Sequence, residues 1–235
     1  MKKIIELNNR IINIIYDDVP KTIKLPIVIL NSYDEDGQDI WDKTKQLTNE
    51  DYILVTISNI DWNREMSPWY MDKLFKGEDD YLGDADKYLL TLTNTIIPKI
   101  EECLNELDIK IKNYTLAGYS LAGLFAIYSI YKTDIFSNII SCSGSLWYPN
   151  FIDYIKDNDM KIIPNKIYFS LGNKESKTRN ELMSTVEEKT KHIKDYYQSK
   201  NIETIYEENE CNHFQDISLR IAKGIRWILS WKSKC

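Results

Sequence analysis

The hexapeptide Gly118-Tyr119-Ser120-Leu121-Ala122-Gly123 stands between a short strand-like run at 113–117 and an apolar run at 121–131 that is long enough for a helix. Glycine is scarce, 8 in 235 residues, so glycines on both sides of one serine mark a turn that Cβ atoms would obstruct. The segment reads as a Gly-x-Ser-x-Gly turn. In such a turn a sharp strand-to-helix reversal lifts a serine hydroxyl clear of the backbone and aims the first N–H groups of the helix at developing negative charge. A strand that feeds a helix through this turn commits the chain to an α/β architecture. The plainer alternative is a small-residue turn that packs a helix on a strand.

The rest of the chain alternates in the same way. Apolar or β-branched runs at 11–16, 24–30, 52–58, 138–142, 166–171 and 202–206 have strand length, and the unbroken ones suit the centre of a parallel sheet covered on both faces. Between 84 and 107 the residues Tyr88, Leu89, Leu92, Ile96, Ile97, Ile100, Cys103 and Leu104 recur at helical spacing, with Pro98 expected to bend or split the run. Helical patterns occupy 178–198 and 215–231. The expectation is one α/β domain over 1–235, a doubly wound, mostly parallel sheet with helices on both faces.

Charge narrows the function classes. Thirty Lys and Arg against 36 Asp and Glu give a net charge of −6, and the basic residues are scattered, which argues against nucleic acid or an anionic membrane as partner. No apolar run approaches the ~20 residues of a membrane span. The Met1-Lys2-Lys3 start runs into Glu6, Asn8 and Asn9, which interrupts a signal-peptide core, so a cytoplasmic protein is expected. The four cysteines, Cys103, Cys142, Cys211 and Cys235, form no CxxC pair and read as free thiols. No metal or organic cofactor is expected, and the chain reads as a monomer or homodimer.

If Ser120 is a nucleophile it needs a base, and an acid to orient that base, in that mechanical relation. His213 lies in a polar loop after the last strand and is the candidate base; His192 sits inside a Lys- and Glu-rich helical stretch and reads as solvated. The strand at 166–171 runs into Gly172-Asn173-Lys174-Glu175, which makes Glu175 the candidate acid. Asp153, Asp157 and Asp159 are rivals. The oxyanion hole is assigned to the backbone N–H groups of Leu121 and Tyr33, with Ser32 close behind. The aromatic-rich segment 62–83 is either a cap or lid over an acyl or aryl pocket, or core packing under a long loop. Trp147, Trp69 and Arg64 are the candidate substrate contacts, although Arg64 reads equally as a partner for a neighbouring acid.

Taken together, Gly118 to Gly123, Ser143-Gly144-Ser145-Leu146-Trp147, Leu171 to Glu175 and Asn212-His213-Phe214 resemble the putative-esterase (esterase D-like) branch of the α/β-hydrolases. That branch includes siderophore esterases of the ferric-enterobactin type and S-formylglutathione hydrolases. Asp61 to Pro68 resembles its Arg-before-Thr/Ser-Pro element, whereas Leu30-Asn31-Ser32 replaces the usual Leu-Asp-Gly. The resemblance implies a serine hydrolase that cleaves a small-molecule carboxylic ester through an acyl-enzyme, either a siderophore-type ester or a small acyl or aryl ester. The alternatives are a non-catalytic ligand-binding homologue and an acyltransferase or thioesterase that uses the same residues.

Overall fold

The computed structural model describes residues 1–18 and 24–230, so Trp231 and Cys235 lie outside the described residues. In chain order the elements are β1 (Lys2–Leu7), β2 (Arg10–Ile15), β3 (Lys24–Asn31), α1 (Gln38–Leu47), β4 (Ile53–Ser58), α2 (Trp62–Glu65), β5 (Tyr70–Met71), β6 (Tyr81–Leu82) and α3 (Ala85–Thr91). A π-helical turn (Leu92–Ile96), α4 (Ile97–Asn105), β7 (Lys110–Tyr119), α5 (Leu121–Ser129), β8 (Phe136–Cys142) and α6 (Phe151–Asp157) follow. The chain continues with β9 (Lys166–Gly172), α7 (Glu181–Ser184), α8 (Val186–Ser199), β10 (Glu203–Asn209) and α9 (Ile217–Leu229).

Eight strands form one sheet in the order β1-β2-β4-β3-β7-β8-β9-β10. From β4 to β10 every neighbouring pair is parallel; β1 and β2 join antiparallel at one edge. Side-chain alternation along β3 shows why both faces are covered. Ile27 and Ile29 enter a core layer with Leu89, Ile100 and Phe125, whereas Val28 and Leu30 enter the opposite layer with Trp41, Ile221 and Ile225. Helices α1 and α9 therefore cover one face, and α3 to α5 with α8 cover the other. Every residue of α5 is buried, as expected of a helix that is apolar all round.

The expected mostly parallel α/β sheet is present, with differences that have local causes. Strand β1 escapes the sequence pattern because it is an edge strand whose side chains alternate only between exposed and half-buried. Helix α1 buries only Ile40, Trp41 and Thr44, too few for a clear helical stripe. The run at 84–107 stays helical, and the widened π turn ends two residues before Pro98, which sits in the first turn of α4. The pattern at 178–198 divides at Thr185 into α7 and α8.

Parallel pairing also decides where loops converge. The carboxyl ends of β3, β7, β8, β9 and β10 lie side by side, with Asn31 paired to Gly118, Gly118 to Ser141, Cys142 to Ser170 and Gly172 to Asn209. Side chains far apart in sequence meet on this edge.

Candidate active site

Ser120 bridges β7 and α5 with φ 56° and ψ −123°, a positive-φ conformation that a non-glycine residue adopts only under constraint. Its N–H donates to the Cys142 carbonyl at 3.0 Å, and its own carbonyl accepts the N–H groups of Gly123, Leu124 and Ser145. A Cβ on Gly118 would stand 2.1 Å from the Ala122 carbonyl oxygen, so only glycine permits this crossing. The second glycine lies three residues after Ser120, whereas strict Gly-x-Ser-x-Gly spacing needs it two after; Ala122 fills that place. Gly123 serves a different contact, since a Cβ there would come 2.9 Å from the Gly144 Cα.

His213, on the loop between β10 and α9, places Nε2 3.1 Å from Ser120 Oγ and Nδ1 2.8 Å from Glu175 Oε2. Glu175 stands on the turn after β9. Its other oxygen accepts from the Gly172 N–H at 2.6 Å, the Ser143 hydroxyl at 2.6 Å and Arg220 Nη2 at 3.1 Å. The two loops are tied together, with the Asn173 N–H donating to the Asn209 carbonyl at 2.9 Å and the Lys174 N–H to that of Cys211 at 3.2 Å. A Cβ on Gly172 would come 2.4 Å from the Cys211 oxygen, which explains the glycine at that close approach. Burial pushes the Glu175 carboxyl upward, but hydrogen bonds from His213 and Ser143, the imidazole charge and the Gly172 amide outweigh it and hold the group below its ordinary 4.5.

Two lobes of one cleft meet at Ser120, Trp62, His213 and Phe214. The first, about 360 Å³, is walled by Leu30, Tyr33, Ile217 and Ile221; the second, about 250 Å³, by Leu74, Phe75, Trp147, Met183 and Val186. Tyr33 is exposed at the first lobe with its ring edge-on to Trp62, and Leu121 lines the second. The Ser32 N–H donates to the Ile57 carbonyl at 2.9 Å, which removes it as an oxyanion donor. Among the described residues no acceptor takes the N–H of Tyr33 or Leu121.

Not every expected contact reaches the cleft. Trp147 is a wall of the second lobe. Trp69 lines neither lobe: its indole N–H donates to the Pro149 carbonyl at 3.2 Å and its ring packs on Tyr148 and Tyr154. Arg64 also lines neither, because Nε bonds Asp61 at 2.9 Å and Nη1 bonds Asp84 at 3.2 Å. In segment 62–83 Leu74 and Phe75 line the cleft while Met66 is fully buried in the core. His192 is exposed on α8. Asp153 and Asp157 belong to α6, and Asp159 follows its end. Sequence reasoning missed Arg220, Ser143 and the Tyr119 hydroxyl, which together back the Glu175 turn. Among the described residues no group of three or more His, Cys, Asp or Glu is arranged to hold a metal ion, and no helix is long and apolar enough to cross a membrane.

A family model described as putative esterase matches residues 20–216. The chain belongs to the putative esterase family. Among curated proteins, this esterase-family chain is 27% identical over 170 residues, 68% of each chain, to the uncharacterized protein YbbA of Bacillus subtilis strain 168. Among solved structures it is similar to the siderophore hydrolase EstA of Aspergillus nidulans, with TM-score 0.73, 15% identity, and 97% and 93% of the two chains covered. It is similar also to an IroE-like serine hydrolase of Shewanella oneidensis, with TM-score 0.73, 20% identity, and 97% and 79% covered. These neighbours share the α/β-hydrolase fold of this esterase-family chain.

The Glu175 shift has a stability consequence with a definite sign. A carboxyl held below its unfolded value of 4.5 contributes stability that is fully present above that value and is lost as pH falls through the folded value. Urea denaturation between pH ~3 and ~7 is therefore expected to show wild type losing stability toward acid more steeply than Glu175→Gln, which has no carboxyl to titrate. Parallel profiles would contradict the assignment.

Proposed function

We propose that this protein is a serine esterase in which Ser120 is the nucleophile, His213 the general base and acid, and Glu175 the group that orients His213. The observation that carries the reading is the unbroken relay from Ser120 Oγ through both ring nitrogens of His213 to Glu175, at 3.1 and 2.8 Å, at the floor of a cleft. Ser120 Oγ attacks the ester carbonyl carbon while its proton passes to His213 Nε2. The N–H groups of Leu121 and Tyr33 take the oxyanion of the tetrahedral intermediate. His213 returns the proton to the departing alkoxide, leaving an acyl-Ser120. A water then gives its proton to His213 as it attacks, and collapse of the second intermediate releases the acid and restores the serine hydroxyl.

The two lobes support a substrate with an apolar or aromatic group on each side of the scissile bond. Their lining includes the carboxylates Glu35 and Glu78 and, among the described residues, no Lys or Arg. A small neutral acyl or aryl ester suits that lining better than a polyanionic ferric catecholate ester. Cys103, Cys142 and Cys211 are buried and unpaired, which supports a reducing compartment such as the cytoplasm.

Ser120→Ala is expected to lower kcat for p-nitrophenyl acetate by about 10⁴-fold or more, and wild type is expected to favour the neutral ester over a matched hemisuccinate ester by about tenfold at low salt. Undiminished turnover in Ser120→Ala, measured on folded protein, would overturn the reading. For the oxyanion hole, Tyr33→Pro deletes the amide proton and Tyr33→Ala keeps it. The expected result is a loss in kcat of about 10²–10³ for the proline variant and a small change for alanine; equal losses would place the second donor elsewhere.

A further inference from the structure

Arg220 is fully buried, 0% exposed, on the apolar stripe of α9 between Ile217 and Ile221. A guanidinium does not shed its proton, so a buried arginine persists only where its charge is balanced and its donors are filled. Here Nε donates to Ser170 Oγ at 3.1 Å, and Nη1 to the Tyr119 hydroxyl at 2.7 Å and Cys211 Sγ at 3.7 Å. Nη2 donates to Ser143 Oγ and, at 3.1 Å, to Glu175 Oε1. Of these acceptors only Glu175 is an anion. The carboxylate that accepts from His213 through one oxygen is thus shared with a permanent cation through the other.

Among the described residues the titratable groups around the pair include Tyr119 at the end of β7, Cys142 of β8, Cys211 on the loop after β10 and Tyr206 of β10, with the Glu207–Lys223 ion pair of β10 and α9 acting on Cys142 through Glu207; Lys174 on the Glu175 turn is exposed. Burial pushes the Cys142 thiol up to about 12 and raises both phenols, so these three stay neutral through the working range. Arg220 is the permanent cation hydrogen-bonded to the carboxylate, and His213 adds a second when protonated. Tyr119 completes the frame by donating its hydroxyl proton to the His213 carbonyl at 2.6 Å, which ties the Arg220 cluster to the backbone of the base.

We propose that Arg220 is a positioning residue that acts on His213 through Glu175: its fixed charge, hydrogen-bonded to one carboxylate oxygen, offsets the negative charge that the other oxygen presents to His213, and so sets the acid limb of the activity profile lower than the carboxylate alone would. The inference rests on the reading of Ser120, His213 and Glu175 as the reacting groups. A carboxylate paired with imidazole alone would favour imidazolium and narrow the acidic side of the activity profile. Arg220 widens it.

The test is the pH dependence of kcat/KM with a neutral p-nitrophenyl ester for wild type, Arg220→Gln, Arg220→Met and Arg220→Lys, with Ser120→Ala as control. Loss of the charge in the Gln and Met variants is expected to move the acid limb upward by about one pH unit, with kcat lowered and KM little changed. The Lys variant keeps the charge but not the fork, so its limb is expected within about 0.3 unit of wild type while kcat falls several-fold. An unmoved limb in folded Gln or Met variants would make Arg220 merely structural and overturn the proposal. Where those two do not accumulate as folded protein, the Lys variant decides alone: a limb near wild type with reduced kcat supports the proposal, and an upward shift of a full unit contradicts it. Activity surviving in Ser120→Ala would instead remove the underlying triad reading, so the two failures are distinguishable.

Discussion

The whole site hangs on one backbone crossing, where Gly118 passes so close to the Ala122 carbonyl that no side chain fits between them. That crossing forces Ser120 into positive φ, a conformation that costs of order 1–3 kcal/mol and persists only when the surroundings over-determine it. The surroundings do so from both sides. Before the turn, β7 is paired with β3 and β8; after it, α5 is buried along its full length and its first amides close on the Ser120 carbonyl. Relaxing the turn would withdraw the hydroxyl from His213, so the packing of α5 and the reach of the Ser120 hydroxyl are one constraint.

The second dependence is electrostatic. Glu175 has a side chain only 3% exposed, and an unpaired charge at that depth would be strongly unfavourable. It is tolerated because four donors reach it from four places in the chain: Gly172, Ser143, His213 and Arg220. Parallel strand order makes this convergence available, since the loops after β8, β9 and β10 open on one edge of the sheet and α9 returns beneath them. Fold and buried carboxylate therefore stabilise each other. The sheet supplies the donors, and the filled carboxylate pins the loop that carries His213.

What could be read from the sequence follows from which constraints are local. Ser120, Glu175 and His213 stood out because each sits just past a strand-length run and their order suits a relay built on a parallel sheet. Arg220 did not, because an arginine on an amphipathic helix is ordinarily solvated; the available signal was its place on the stripe of Ile217, Ile221 and Ile225, where a charge demands a buried partner. Ser143 and Tyr119 looked like a turn residue and a strand end, and only three-dimensional packing brings the Ser143 hydroxyl to the carboxylate and the Tyr119 hydroxyl to Arg220 and the His213 carbonyl. Trp69 and Arg64 were misplaced for a related reason. The segment 62–83 has no periodicity to say which side chains face inward, and the choice between core and cleft is made by contacts with α6 and with Asp84. Strand β1 and helix α1 were missed because each buries too little apolar surface to leave a pattern.

The central claim is that Ser120 is the activated nucleophile, and its most direct measurement is peptide mapping after treatment of the folded protein with a fluorophosphonate. A single adduct on Ser120 is expected, formed with matching loss of esterase activity and far more slowly in His213→Ala. An adduct on another residue, or a folded protein that takes up no label while still hydrolysing esters, would contradict it.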